Sequence, residues 1–228
     1  MKRRKSKHSN RMLPIVHTQN TTLEGMKALQ EIIIRDYQME EELDWLDVHA
    51  SVMVDSYAWW TVLHQKPTYT NDTIDLVAVD DTERVVGFIT IEMNAAVVKE
   101  QSDAGFAWEF GVHRNYRRNG IGKQLIAAVH QRMRTQFMIN RSIWYSQDKQ
   151  AQQFYEKMGM VEIARHWQFS VVPNEQHKSL FKQNKFDCWE IRGSCAVEDF
   201  EEVKQTFELI EDDDALNPQL CIGYEWID

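Results

Sequence analysis

The chain has 228 residues, 43% hydrophobic and 27% charged, with eight Trp and only four Pro; that is one large domain or one domain with an appendage, and it excludes disordered, collagen-like and low-complexity classes. Apolar runs such as residues 125–129 fall far short of the roughly 20 residues that span a bilayer, and three Cys without a CxxC pair argue against a disulfide framework or a zinc site. The net charge of −9 hides a gradient: residues 1–11 carry Lys2, Arg3, Arg4, Lys5, Lys7 and Arg11 with no acid, whereas 198–228 carry eleven acids against Lys204 alone.

A soluble protein of the reducing cytoplasm is therefore expected, with no membrane partner and no metal. The basic start reads as a disordered, solvated tail over 1–11, and the stretch 12–16 after it is too brief for a signal-peptide core. Nucleic acid is not an expected partner, because a domain that binds it presents a basic face and this chain is acidic overall.

A short strand near Ile15 precedes two amphipathic helices. Thr22 and Glu24 open the first, with Leu29, Ile32, Ile33 and Tyr37 on its apolar stripe; the second includes Leu43, Leu46, Val52, Tyr57, Trp60 and Leu63. Glu40, Glu41, Glu42, Asp44 and Asp47 make the start of the second strongly acidic. That cluster reads either as a solvated face favoured by the helix dipole or as the rim of a cleft that attracts a cation. After the turn-rich stretch 67–72, strands over 74–79 and 85–93 flank a loop of hairpin length, 80–84, and are expected to be antiparallel neighbours. The next strand, 106–112, alternates: Phe106, Trp108, Phe110 and Val112 on one face, Ala107, Glu109 and Gly111 on the other.

A helix over 120–133 carries Ile121, Leu125, Ala128, Val129 and Met133 on one stripe. A strand over 141–146 follows, then a helix capped by Asp148, carrying Ala151, Phe154, Tyr155 and Met158, and ended by Gly159. Residues 160–172 read as a strand. Beyond it, strands at 189–192 and 222–227 enclose a helix over about 197–210 and an acidic loop, 211–214. With no long linker, 173–228 is taken as an appendage packed on the same domain.

The chemistry concentrates in Arg117-Arg-Asn-Gly120-Ile-Gly122, just before the third helical stripe. The glycines let the backbone turn, and the first helical turn offers unpaired amides and about half a positive charge. Arg117 and Arg118 add cationic donors, so the segment reads as a pyrophosphate site or, more simply, as a tight turn into a helix. It is neither the dinucleotide GxGxxG nor the nucleotide-binding GxxxxGK[ST].

Val112 through Gly122, followed about 30 residues on by Ala151-Gln-Gln-Phe154-Tyr155-Glu-Lys-Met-Gly159-Met, resembles the GNAT superfamily of N-acetyltransferases. The resemblance is clear over about 72–172 and extends by element order to 12–71. It implies an α/β fold with a mixed, mostly antiparallel central sheet flanked by helices, an acetyltransferase domain over 12–172, and a C-terminal α/β appendage over 173–228. It further implies acetyl-coenzyme A as co-substrate, in a cleft where the strand ending at Val112 splays from the strand 141–146. The backbone of Phe110, Gly111 and Val112 would bond the pantetheine arm, while Arg117, Arg118, Asn119, Gly120, Ile121, Gly122 and Lys123 would hold the pyrophosphate. Asp148, which stands where the family frequently has Asn, would join the cofactor-binding residues as the cap of the following helix.

In the same resemblance Tyr155 takes the place of the acid that protonates the departing thiolate. A phenol near about 10 donating to a thiol near about 8.5 is uphill by roughly 2 kcal/mol, a small demand; the plainer reading is a core aromatic beside Phe154. An ammonium near about 10.4 cannot readily yield its proton to an ordinary Glu near about 4.3, a gap of around 8 kcal/mol, so a base must be tuned or work through water. Glu109 is the candidate base, since Ala107 and Gly111 leave room beside it and the family often places an acid on this strand; a structural ion pair is the competing reading. His113 is the alternative base. The expected activity is transfer of acetyl from acetyl-coenzyme A to a primary amine of a small cationic molecule or peptide, by direct attack in a ternary complex. The rival is a non-catalytic acyl-coenzyme A binding or sensing module, and a homodimer is compatible with either.

Overall fold

The computed structural model describes residues 31–56, 62–95, 103–183, 190–211 and 217–227. In chain order these form strand β1 (Ile33–Asp36), helix α1 (Glu42–Met53), β2 (Thr73–Val79), β3 (Val85–Met93), β4 (Gly105–Val112), α2 (Ile121–Arg132), β5 (Arg141–Ser146), α3 (Lys149–Met158), β6 (Val161–Val171), α4 (Glu175–Gln183), β7 (Ile191–Ala196), α5 (Phe200–Thr206) and β8 (Gln219–Ile227). The basic tail, the strand near Ile15, the helix opened at Thr22, Tyr57, Trp60, Trp189 and most of the acidic loop lie outside the described residues. No described helix is long and apolar enough to cross a membrane.

The strands make one sheet in the order β1-β2-β3-β4-β5-β8-β6-β7. All neighbours are antiparallel except β4 and β5. β3 is buried along its whole length, as a central strand covered on both faces must be. On one face α2 and α3 lay Ile121, Leu125, Val129 and Tyr155 against Leu76, Ile89 and Ile91. On the other, α1 lays Trp45 and Val48 against Val77, Val79 and Phe88. Asp148 caps α3, accepting from the amides of Gln150 (2.6 Å) and Ala151 (3.2 Å), and Gly159 ends it in the left-handed conformation.

Several details differ from or go beyond the expectations. Ile33, placed on the first helix's stripe by periodicity, lies in β1, an edge strand paired with β2; a β-branched run fits a pleated surface better than a helix. Within β4 the alternation breaks, because the β3–β4 register shifts between Thr90 and Ile91: Thr90 faces Glu109, but Ile91 faces Ala107. Trp108 is the extra residue of a β-bulge, and Phe106 packs with Ala95, Ala104 and Ile143 rather than in the cluster that Phe110 and Val112 join. Residues 173–228 contribute β7 and β8 to the sheet itself, with β8 an interior strand between β5 and β6. The helix expected over 197–210 is confined to α5, and α4, capped by Asn174 accepting from the His177 amide (3.0 Å), had no counterpart in the periodicity reading.

Candidate active site

β4 and β5 are paired only at Gly105 with Ser142 and Phe106 with Ile143. Beyond those pairs β4 continues to Val112 and β5 to Ser146, so a wedge opens between two parallel strands. The bulge at Trp108 stands at the start of this parting, where extra twist turns β4 away. The rear of the wedge is packed by Phe110, whose ring meets Trp144 edge-on (5.7 Å) and stacks on Phe154 (5.8 Å).

The Arg117 to Lys123 segment sits at the wide end of β4, and three anchors position it. Asp80, buried at the β2–β3 turn, accepts from the Thr82 amide (2.9 Å), the Thr82 hydroxyl (2.6 Å), the Arg84 amide (3.2 Å) and the Tyr116 hydroxyl (2.7 Å). Burial alone would raise its pKa, but these donors outweigh it and hold the carboxyl well below the usual range. Asp55 accepts from Arg114 (2.6 Å) and Arg117 (2.9 Å). Arg117 also donates from Nε to the Val112 carbonyl (3.0 Å). Its guanidinium is thus engaged in bracing the loop, and Arg118 and Lys123, both exposed, are the segment's outward cations.

Gly120 caps α2 with φ +79°, and Arg118 also has positive φ (66°), so the backbone reverses twice just before the unpaired amides of the first turn. Asn119 donates to the Tyr116 carbonyl (3.2 Å), closing the turn. Ile121 is buried. A Cβ on Gly122 would stand 3.1 Å from the Phe110 ring and 3.3 Å from that of Phe154, so the glycine lets the helix start close over the wedge. The backward-turned loop, the open amides and the two cations fit a pyrophosphate.

Tyr155 is buried in the wedge's rear, within 5.4 Å of Trp144 and 5.5 Å of Tyr224 by ring centroids. Burial, with smaller contributions from Asp148 and Tyr224, raises its pKa, so the phenol carries its proton at neutral pH. His113 is committed elsewhere: its Nδ1 accepts from the Asn115 amide (3.3 Å), and burial together with Arg114, Arg117 and Arg84 lowers its pKa.

Glu109 lies on the α1 side of β4, in a cross-strand row with Thr90 of β3 and Asp75 of β2. Burial pushes its pKa up to about 7; Lys66 and Tyr69 pull against that rise and Asp75 adds to it. Lys66 ion-pairs with Asp75, which also accepts from the Thr90 hydroxyl (2.8 Å). Its ammonium stands over the rings of Tyr37 (4.7 Å) and Trp45 (5.5 Å). His49 Nε2 is 3.8 Å from the Glu109 carboxylate, and burial lowers the His49 pKa, leaving a neutral neighbour. Tyr69 acts on Glu109 through its hydroxyl, yet that buried hydroxyl makes no hydrogen bond of full geometry.

The expected residues therefore fall into two groups on either side of one wedge: the loop with Asp148 and Tyr155, and Glu109 with its polar row. Two acids of the cluster at the start of α1 have local partners. Glu41 pairs with Arg35, and Glu42 accepts from the Lys66 amide (2.9 Å). His49, Lys66, Tyr69 and Asp75, which surround Glu109, were not singled out from sequence; an apolar-face His and a Lys inside a turn-rich segment carry no spacing signal.

The chain is similar to several solved structures. A putative acetyltransferase from Acinetobacter baylyi ADP1 is similar in structure at 12% identity, over 89% of this chain and 95% of that one, with a TM-score of 0.53. A putative streptothricin acetyltransferase from Bacillus anthracis, solved with acetyl coenzyme A, aligns at 16% identity over 88% of this chain and 99% of that one (TM-score 0.48). The PaiA N-acetyltransferase of Thermoplasma acidophilum, solved with coenzyme A, aligns at 17% over 58% and 91% (TM-score 0.47). No curated protein matches the sequence. The model of the acetyltransferase (GNAT) family matches residues 26–160, and since that is more than half of the chain and takes in both the loop and the α3 motif, the protein belongs to the GNAT acetyltransferase family.

Proposed function

We propose that this protein transfers an acetyl group from acetyl-coenzyme A to a primary amine, by direct attack of the amine with both substrates bound. The observation that carries the reading is the parting of β4 from β5 after Phe106 and Ile143, with Glu109 beyond the parting on one strand and the anion loop at its wide end. Acetyl-coenzyme A supplies the activated acetyl thioester. Its pyrophosphate would be held by the amides from Arg118 to Lys123 with the side chains of Arg118 and Lys123, and its pantetheine by the β4 backbone at Phe110, Gly111 and Val112. Asp148 contributes by starting α3, which carries Tyr155.

An acceptor arrives as an ammonium and must lose a proton before its nitrogen can attack. A carboxylate near 7 is ionised for much of the time at neutral pH and is about 3 kcal/mol better matched to that proton than an ordinary Glu. Glu109 takes this proton, and the Tyr155 hydroxyl is the group that returns one to the departing sulfur. A raised phenol pKa makes Tyr155 a reluctant donor, so its gift must go to a thiolate excluded from water, where the sulfur anion is also costly.

The test is free-thiol release across a panel of primary amines, in parallel with thermal unfolding with and without acetyl-coenzyme A. At about 100 times its dissociation constant a ligand stabilises by roughly 2.7 kcal/mol. Stabilisation with amine-dependent thiol release is the expected result. Stabilisation without release by any amine would favour the binding-module reading, and no stabilisation would remove the coenzyme A assignment.

A further inference from the structure

Trp108 is 40% exposed yet held on three sides. Its ring stacks on Tyr69 (5.6 Å, 22°), meets Phe106 edge-on (4.7 Å), and donates from Nε1 to Glu92 Oε2 (2.7 Å). Glu92 is itself buried, and its other oxygen accepts the amides of Thr70 (3.1 Å) and Asn71 (2.8 Å), the residues next to Tyr69. A buried carboxylate thus immobilises an indole that remains partly open to solvent. Such a surface has already lost its rotamer freedom and presents a large apolar area, which is how an aromatic anchor lowers the cost of binding.

The row continues across the wedge. Phe106 lies 6.2 Å from the ring of Tyr145 on β5, and Tyr145 is 39% exposed and 6.3 Å from His166 on β6. Tyr145 lies down on β8: a Cβ on Gly223 would come within 2.6 Å of its ring. Tyr69 stacks on Trp108, and Trp108 is the immediate chain neighbour of Glu109 on β4. Of the three carboxylates that β2, β3 and β4 carry on this face, Asp75 is engaged by Lys66 and Thr90, and Glu92 by Trp108 and two amides. Glu109 has the imidazole of His49 at 3.8 Å and no Lys or Arg ion pair among the described residues, so it is the one of the three that can meet an ammonium.

Resting on the transferase reading above, we infer that the acceptor is a primary monoamine with an aromatic or flat apolar body, which lies on Trp108 and Tyr145 while its nitrogen meets Glu109. A polyamine or aminoglycoside presents several ammonium groups, and among the carboxylates of β2, β3 and β4 on this face it finds one without a cationic or amide partner.

The experiment compares 2-phenylethylamine and tryptamine with spermidine and kanamycin, by thiol release with acetyl-coenzyme A and by calorimetric titration of each amine into protein saturated with coenzyme A. It is repeated in Trp108→Ala, Trp108→Phe and Tyr145→Ala, each first checked for stabilisation by acetyl-coenzyme A. The arylalkylamines are expected to bind and turn over at least about tenfold better than spermidine, from the usual worth of a buried aromatic anchor. Trp108→Ala and Tyr145→Ala should raise the arylalkylamine KM about tenfold with kcat little changed, and Trp108→Phe should raise it less. Preference for spermidine or kanamycin, failure of the arylalkylamines to bind, or an equal rise in KM for every amine would overturn the inference while leaving the transferase reading intact. Loss of acetyl-coenzyme A binding by the unsubstituted protein would instead take down that reading and this one with it.

Discussion

Replacing Glu109 with Gln removes a carboxyl group that the fold holds near pH 7, against an ordinary 4.5. Below pH 4.5 the acid is protonated in the folded and unfolded chain alike, and its burial costs only what a neutral acid costs. Between 4.5 and 7 the unfolded chain releases the proton while the folded chain keeps it, so stability falls as pH rises, and above 7 the loss is complete. The whole loss is about 3 kcal/mol, of which about 2 kcal/mol falls between pH 5 and pH 8. The side chain is 18% exposed, so solvent screening takes little from that figure. Gln carries no such penalty, and Glu109→Gln should gain on the unsubstituted protein by roughly 4–8 °C in Tm over this interval, using about 2–4 °C per kcal/mol for a chain of this size. Thermal unfolding of both proteins at pH 5, 6, 7 and 8 measures it without any substrate. In turnover, kcat/KM of the unsubstituted enzyme should rise with pH and level off near 7, and Glu109→Gln should lose that inflection. A Tm difference that stays constant from pH 5 to pH 8 would refute the buried-carboxylate argument and the base assignment built on it.

Gly120→Val places a β-branched residue at φ +79°, which should cost about 1–2 kcal/mol in thermal unfolding and weaken coenzyme A binding; undiminished affinity would sink the pyrophosphate-loop assignment. Tyr155→Phe should leave coenzyme A affinity nearly intact and slow turnover by about 10²-fold or more, as loss of a general acid does; unchanged turnover would remove Tyr155 from the chemistry. Asp80→Ala leaves the donors of Thr82, Arg84 and Tyr116 without their acceptor, and should lower stability by about 2–3 kcal/mol and coenzyme A affinity with it. Because the folded pKa of Asp80 is depressed, its contribution is present above the ordinary carboxylate range and fades as pH falls below it, so the Tm gap to Asp80→Ala should narrow toward pH 2.

Much of the layout was legible because its signals are local. Asp148 and Gly159 mark the two ends of α3 by chemistry confined to one turn each, and the strands β2, β3 and β5 follow from β-rich runs between turn residues. The loop at Gly120 is likewise a short-range pattern, and Glu109 stood out as a lone acid on a strand. What could not be read depends on partners far away in the chain. A bulge adds one residue to one strand, and β4 shows unbroken alternation until β3 is laid beside it, which is why Trp108 and Phe106 were put on the wrong face. Ile33 is compatible with a helix by spacing, and only pairing with Val79 decides for a strand. Lys66 and Tyr69 reach Glu109 from a segment 40 or more residues earlier, a juxtaposition that no spacing encodes. Arg117, an expected anion ligand, also pairs with Asp55, just after α1, a contact that no local pattern encodes.

The position of β8 has a consequence for how the protein is made. Among the described strands, β6 and β7 reach the rest of the sheet only through β8, and β8 is synthesised after both. As the chain leaves the ribosome, β5 and β6 therefore wait with unpaired edges, each a template for another strand, until residues 219–227 slide between them. The two halves of the sheet join in one late, long-range step, the slow kind by chain topology. A ribosome stalled before residue 219 would display an incomplete sheet with the Gly120 loop already encoded, so acetyl-coenzyme A added to such a nascent chain should protect the β1–β5 half from proteolysis far less than it protects the released protein.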